Sequence, residues 1–320
     1  MRKIIIDTDV CSDDAAAMLL AMLTDDVEVL AVTTVSGGVV LSQATQNALQ
    51  TIEEAGQNVP VYMGASKGLF KPPFVTTGIH GADGMGACGL IHPTAKAVEG
   101  VHASDAILSL VKQYPGEIDL IALAPVTNIG LAILKEPETM KQLKSLTVMG
   151  TGGFGPGNTT PVAEANVYSD AESYDLMLSL GVPTDILGFD LCIGDSAFNE
   201  EEMLYLENCG NPIAHYVARA SSHLAAFNRD VRGAYSADIC DAVAMACYLW
   251  PEIVLEKKPC CARVCKDGDF YGQVVFYTAD NRGTMETLNI PFDFEKGKCN
   301  VFTKIDTAAF KQKFVQTLTK

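Results

Sequence analysis

The chain has 320 residues, 48% of them hydrophobic and 19% charged, with a formal net charge of −16. This is enough apolar material for a sizeable core, and a large α/β domain reaches this length as a single unit. The acidic balance repels polyphosphate, so nucleic acid and anionic membranes are poor partners, and a neutral small molecule or a cation fits better. Met1–Ile6 runs directly into Asp7, which leaves no apolar stretch of the kind a secretory signal needs. No apolar run reaches the ~18 residues of a membrane span. The expectation is a cytoplasmic protein whose ten cysteines are reduced thiols.

The elements alternate along the chain. Lys3–Ile6 reads as a strand, Asp13–Leu23 as a helix and Val27–Thr33 as a strand. Ser42–Ala55 is helical, with Ala44, Ala48 and Ile52 at helical spacing, and Pro60–Met63 is a short strand. A Gly-rich loop, "TTGIHGADGMGACG", covers Thr76–Gly89. A helix over Ala103–Tyr114 precedes strands at Ile118–Leu123 and Leu143–Met149, and a second Gly-rich loop spans Gly150–Gly157. A helix over Asp170–Leu180 and a strand over Thr184–Gly188 follow. From Asn199 to Leu249 the pattern is mainly helical. Phe270–Tyr277 and Asn300–Ile305 alternate like edge strands, and a final helix starts at Asp306. This rhythm predicts one α/β domain over 1–320, an open and mostly parallel sheet flanked by helices with a helical excursion in the C-terminal half.

The chemistry is densest in "IIIDTDVCSDDAAAM" (Ile4–Met18), where Asp7, Asp9, Asp13 and Asp14 fall within eight residues. A parallel strand ending in Asp7 delivers these acids to the edge where such sheets bind ligands. Helix capping accounts for Asp13 and Asp14 but not for Asp7 and Asp9 as well. Four carboxylates in one loop need a counter-charge, and oxygen-only ligands select a hard divalent ion, calcium or magnesium, over zinc. An EF-hand is excluded, because the sixth position from Asp7 is Ser12 and the twelfth is Met18. A haloacid-dehalogenase-type phosphatase also opens with a strand and Asp-x-Asp, but does not call for Asp13–Asp14. Cys260, Cys261 and Cys265 could begin a zinc site, yet no second Cys or His pair lies nearby, so buried or surface thiols are expected there.

"DTDVCSDDAAA" resembles the signature Asp-x-Asp-x-x-x-Asp-Asp-x-x-Ala of the inosine–uridine-preferring nucleoside hydrolases. Four further blocks resemble that family in order: "IHGADGMG" (Ile79–Gly86), "APVTNIGLAI" (Ala124–Ile133), "VMGTGGFGPGNTTPVAEANVYSDAES" (Val148–Ser173) and "CDAVAMACYLWPE" (Cys240–Glu252). The resemblance implies calcium-dependent hydrolysis of ribonucleosides to ribose and free base, with a role in purine or pyrimidine salvage. It also implies a homo-oligomer, dimer or tetramer. It makes Asp9, Asp14, Asp241 and the backbone carbonyl of Leu123 the calcium ligands, with Asp9 also the general base. Asp13, Asn158, Glu164 and Asn166 would hold the ribose hydroxyls, and His80 would sit in a loop over the site. Asp7 would support the loop.

This chain departs from the family pattern at three places. Cys240 stands at the catalytic position where the well-studied members carry histidine, and a thiol of pKa ~8.5 is a weaker proton donor than imidazolium. Gly38 replaces a frequent Asn, and Val10–Cys11 replaces the usual Pro-Gly. Base preference therefore does not carry over. The enzymatic alternative is the phosphatase, and the non-enzyme alternative is a silent calcium-dependent ribose- or nucleoside-binding protein. His223, Arg229 and Arg232, in "SSHLAAFNRDVRG", read as a solvated helix end.

Overall fold

The computed structural model describes residues 1–94, 96, 98–278, 280 and 282–320. The first part runs β1 (Arg2–Thr8), α1 (Ser12–Met22), β2 (Val27–Thr34), α2 (Leu41–Glu54), β3 (Val61–Met63), α3 (Thr77–His80), α4 (Ala103–Gln113) and β4 (Ile118–Ala122). Next come α5 (Thr127–Lys135), α6 (Pro137–Met140), β5 (Ser145–Met149), α7 (Ala165–Ser169), α8 (Ala171–Leu178) and β6 (Thr184–Leu187). The helical excursion is α9 (Glu200–Asn208), α10 (Pro212–Ala220), α11 (Ser222–Arg232) and α12 (Cys240–Leu249). The chain closes with β7 (Val254–Val264), β8 (Val274–Tyr277), α13 (Arg282–Thr287), β9 (Lys298–Ile305) and α14 (Thr307–Leu318).

Among the described residues the strands form one sheet in the order β3-β2-β1-β4-β5-β6-β9-β7-β8. From β3 to β9 every pairing is parallel, and β7 is antiparallel to both β9 and β8. Strand β1 is buried along Ile4–Thr8 because helices cover both faces, which is why it reads as an unbroken apolar run. The strand order reverses between β1 and β4. A crevice forms there at the carboxyl ends, the general ligand position of open α/β sheets. Asp7 pairs with Ala122 across this junction, and the Leu123 N–H donates to the Asp7 carbonyl at 2.8 Å.

All eleven residues of α1 are buried, and α12 packs beside it in the same core cluster. Both helices are Ala-rich, and small side chains let their axes approach. Their N-termini, carrying Asp13, Asp14 and Asp241, thus meet at the crevice. Between β1 and α1 the chain bends at Val10, a β-branched residue at φ 23°. Asn47 of α2 holds this bend. Its Nδ2 donates to the Val10 carbonyl and to the Asp83 carbonyl, each at 2.8 Å.

The sheet and its flanking helices follow the sequence pattern, with four corrections. The helix expected over 170–180 is α8, and the short α7 that precedes it, ending before Asp170, was not expected. There φ is −157° and the side chain caps α8 by accepting from the Ser173 N–H. β9 is not an edge strand, since it lies between β6 and β7, and only residues 274–277 of the expected 270–277 strand pair as β8. The Gly-rich loop over 76–89 contains the short α3. β7 went unread because Pro259 and "EKK" break any alternation, and Pro argues against a strand interior.

Replacing Asn47 by Ala leaves two carbonyls without their donor, Val10's and Asp83's, in a residue that is 0% exposed. Asn47→Ala should cost about 1–3 kcal/mol in urea unfolding. It should also lower activity, because the Asp loop and the Gly-rich loop lose their shared tie. Unchanged stability would mean the bend at Val10 is held by other contacts.

Candidate active site

One cavity at the β1/β4 crevice is lined by all ten residues singled out from the sequence: Asp9, Asp13, Asp14, His80, Leu123, Asn158, Glu164, Asn166, Cys240 and Asp241. Asp7 faces the other way, into the sheet. There its carboxylate accepts from Thr33 Oγ1 at 2.6 Å and Asn128 Nδ2 at 2.8 Å.

The floor is acidic. Carboxylate oxygens of Asp13, Asp14 and Asp241 lie within 4.8 Å of one another, and all three side chains are buried. Asp14 is fixed by Thr8 Oγ1, which donates to Oδ1 at 2.5 Å, and by the Cys11 N–H, which donates to Oδ2 at 2.8 Å. Asp9 stands beside them, its Oδ2 accepting from the Gly38 N–H. A Cβ at Gly37 would overlap the Asp9 carboxylate and Pro125, so only glycine fits against this acid. Asp241 Oδ1 is buried with no hydrogen-bond partner.

Burial pushes the Asp9 carboxyl up to about 7; the Gly38 N–H opposes this and the charge of Asp13 adds to it. Asp14 and Asp241 are also raised well above the usual carboxylate range, by burial first and then by each other's and their neighbours' charges. Among the described residues the basic group paired with these four is His80, whose Nδ1 lies 3.7 Å from Asp13 Oδ1 and 3.0 Å from Ser12 Oγ. Burial lowers the His80 pKa against the pull of Asp13, so the ring is neutral at pH 7 and supplies little charge.

A divalent cation fits this floor. The donors are oxygens, as hard ions require, and one of them, Asp241 Oδ1, is a buried acceptor without a partner. A pair of carboxylates at this spacing repels by about 3–4 kcal/mol at an effective dielectric of about 20. The N-terminal dipoles of α1 and α12 return only about 0.3–1 kcal/mol each.

The side wall is polar. Glu164 caps α7, taking the Asn166 N–H at 2.9 Å on Oε1 and the Thr151 N–H at 3.1 Å on Oε2. Burial raises its carboxyl to about 7 despite these donors. Asn166 Nδ2 donates to the Leu123 carbonyl at 3.1 Å, tying the wall to the end of β4. Asn158 Oδ1 accepts from the Ala165 N–H at 3.0 Å. At the rim, Cys240 Sγ donates to the Asp238 carbonyl at 3.4 Å. The neighbouring Cys192 thiol, and then burial, raise the thiol well above its ordinary value, so it stays protonated.

Several lining residues escaped the sequence reading. Phe74, Thr76, Phe189, Leu224, Phe227, Asn228, Arg232 and Asp238 share the cavity. Arg232 is not a purely solvated helix end, since it pairs with Asp238, which also accepts from Asn228 Nδ2 at 3.1 Å. The usable signal was helical spacing in α11, whose buried face carries Leu224 and Asn228 four residues apart. Phe74 and Phe189 gave none, because a loop and a short 3₁₀ turn bring them in. Cys260, Cys261 and Cys265 form no metal-binding group among the described residues, and no described helix is long and apolar enough to cross a membrane.

The crevice at the strand reversal, the acid floor and the polar wall beside it form one candidate site. Residues 4–312 match the family model described as inosine-uridine preferring nucleoside hydrolase. A probable uridine nucleosidase 1 of Oryza sativa subsp. japonica is 34% identical over 258 residues, 80% of this chain and 79% of that protein. A solved plant nucleoside hydrolase superposes with a TM-score of 0.91 at 27% identity, covering 99% of both chains. A solved inosine-guanosine nucleoside hydrolase gives 0.87 at 26%, with 99% of each chain covered. The chain belongs to the inosine-uridine preferring nucleoside hydrolase family and is a hydrolase of N-glycosyl compounds. This membership does not favour the phosphatase.

The raised carboxyls set a pH dependence for the metal-free protein. Asp7 and Asp9 have a usual value of 3.8 and are raised to about 7 in the fold. The folded state therefore binds more protons than the unfolded chain between those values, so stability is full at the acid end and falls as pH rises. The melting temperature of chelator-treated protein should decline from about pH 4 towards about pH 7. A melting temperature that climbs over that interval would show that these acids are ionised and compensated without a metal.

Proposed function

We propose that the chain hydrolyses the N-glycosidic bond of ribonucleosides to ribose and free base in a calcium-dependent reaction. The observation that carries this reading is the buried carboxylate floor, with its unpartnered Asp241 oxygen, set against the Asn158–Glu164–Asn166 wall. Asp9, Asp14, Asp241 and the Leu123 carbonyl would hold the calcium ion, which when bound lowers the pKa of water and orients sugar hydroxyls.

Asp9 takes the proton of the attacking water. A positioned carboxylate, held by the Gly38 N–H, is suited to that task. Asp13 accepts a hydrogen bond from the ribose 2′-hydroxyl, while Asn158, Glu164 and Asn166 receive the remaining hydroxyls. A neutral diol suits acceptors already fixed by backbone donors, because they need not reorganise as charge develops on the sugar. Phe189, Leu224 and Phe227 give the cavity an apolar side suited to a flat base.

The leaving base receives little help from Cys240. Its thiol is held protonated and donates to the Asp238 carbonyl. The base then departs with little protonation, and contacts to the ribose carry the rate. Substrates with better leaving groups, such as p-nitrophenyl riboside, should outrun natural nucleosides.

Incubation with a panel of ribonucleosides and chromatography for free base tests the activity. Wild-type protein should release base, and 2′-deoxy analogues should react much more slowly. Asp9→Asn should keep the fold and lose ~10²–10⁴-fold in turnover. Full activity in Asp9→Asn would remove it as base, and equal rates on deoxyribonucleosides would remove Asp13 from the ribose.

The two adjacent positions at the start of α12 should separate. Cys240→Ser should cost less than about tenfold, or ~1.4 kcal/mol of barrier. Asp241→Ala should cost far more and weaken calcium binding. Equal inactivity of the two variants with calcium still bound to Cys240→Ser would assign the thiol a direct chemical role.

A further inference from the structure

Outside the active site, the antiparallel junction between β7 and β9 brings two cysteines face to face. Cys260 and Cys299 are register partners, and their sulfurs lie 3.8 Å apart. Directly opposed residues of an antiparallel pair have Cα atoms about 4.5–5.5 Å apart. That falls inside the ~4.4–6.8 Å that a disulfide spans. No backbone movement is required, only a small rotation of two side chains.

The surroundings divide the labour between the sulfurs. Cys299 is 7% exposed and sits in the core cluster beneath the sheet with Ala262 and Val301. Cys260 is half-buried, and both residues line a surface cavity whose wall includes Thr184, Tyr277, Arg282 and Lys298. The hydrogen bond with Cys299 lowers the Cys260 thiol pKa, and Lys258 lowers it further against burial. The same bond, and then burial, raise that of Cys299. Cys260 is thus the sulfur that a solute in the cavity reaches first, with Cys299 buried behind it, the arrangement of an attacking thiol with a resolving partner.

We propose that Cys260 and Cys299 form a reversible dithiol–disulfide site, oxidised by a hydroperoxide that enters the adjoining cavity. Cys260 sulfur attacks the terminal oxygen of ROOH, the O–O bond breaks, and the alkoxide leaves with the thiol proton as ROH. Cys260 is then a sulfenic acid. Cys299 sulfur attacks it, the S–OH bond breaks, the S–S bond forms, and hydroxide leaves with the Cys299 proton as water. Two thiols lose two electrons and the hydroperoxide gains them. Excess small-molecule thiol reverses the reaction by exchange. The bond staples β7 to β9, the junction that attaches the antiparallel strands to the parallel sheet. This site does not depend on the catalytic reading.

Fully reduced chain is exposed to stepwise hydrogen peroxide, blocked with N-ethylmaleimide and mapped by mass spectrometry without reduction. The first cross-linked peptide should join Cys260 to Cys299, be two hydrogens lighter than its reduced parts and disappear with dithiothreitol. In Cys299→Ser, Cys260 should stop as a sulfenic acid that dimedone traps. In Cys260→Ser, dimedone labelling of Cys299 should be at least tenfold slower. First oxidation elsewhere, such as a Cys192–Cys240 or Cys260–Cys261 link, would overturn the site. Equal dimedone labelling of Cys299 in Cys260→Ser would overturn the order of attack.

Discussion

Like charges forced together at the mouth of one crevice set the terms for the rest of this structure. Asp9, Asp13 and Asp14 arrive on the β1–α1 connection, and Asp241 arrives on α12 from the far end of the chain. Burial removes the water that would screen them, and together with the charges of their neighbours it raises the proton affinity of Asp9, Asp14 and Asp241. Such a cluster has two stable conditions. It takes up protons, or it takes up a cation. Its oxygens are held by Thr8, Cys11 and Gly38 rather than by basic side chains, so the fold supplies shape and leaves the charge to be supplied from outside.

Much of the neighbouring architecture keeps that cluster in place. The Ala-rich faces of α1 and α12 let two helix N-termini converge, and the reversal of strand order opens the crevice above them. Gly37 leaves room for the Asp9 carboxylate, while Asn47 ties the bend at Val10 to the loop that carries His80. On the opposite side Asn166 bridges the polar wall to Leu123. Most polar groups of the cavity thus sit at the ends of strands and helices, where their geometry costs little to maintain.

The acid cluster was legible in the sequence because it is local, with four aspartates on one strand-to-helix connection. The alternating strands and helices were legible for the same reason, since periodicity is a local property. Asp241 stood out only through the family resemblance, because nothing within α12 says that its N-terminus meets that of α1. The Leu123 carbonyl has no side-chain signature at all. Arg232 and Asn228 were passed over because a charged helix end reads as solvated until Asp238 is placed opposite it. β7 was hidden by Pro259, which is tolerated because β8 pairs only with Cys261–Val264 and leaves one side of β7 without a strand partner there.

The proposed reaction requires the acid floor to hold one hard divalent ion. Metal content of the purified chain after exhaustive dialysis against trace calcium tests this most directly, with Asp241→Asn measured alongside. One calcium per chain, little zinc and loss of the ion in a folded Asp241→Asn variant is the result the account predicts. Stoichiometric zinc with little calcium, or calcium retained in full by Asp241→Asn, would contradict it.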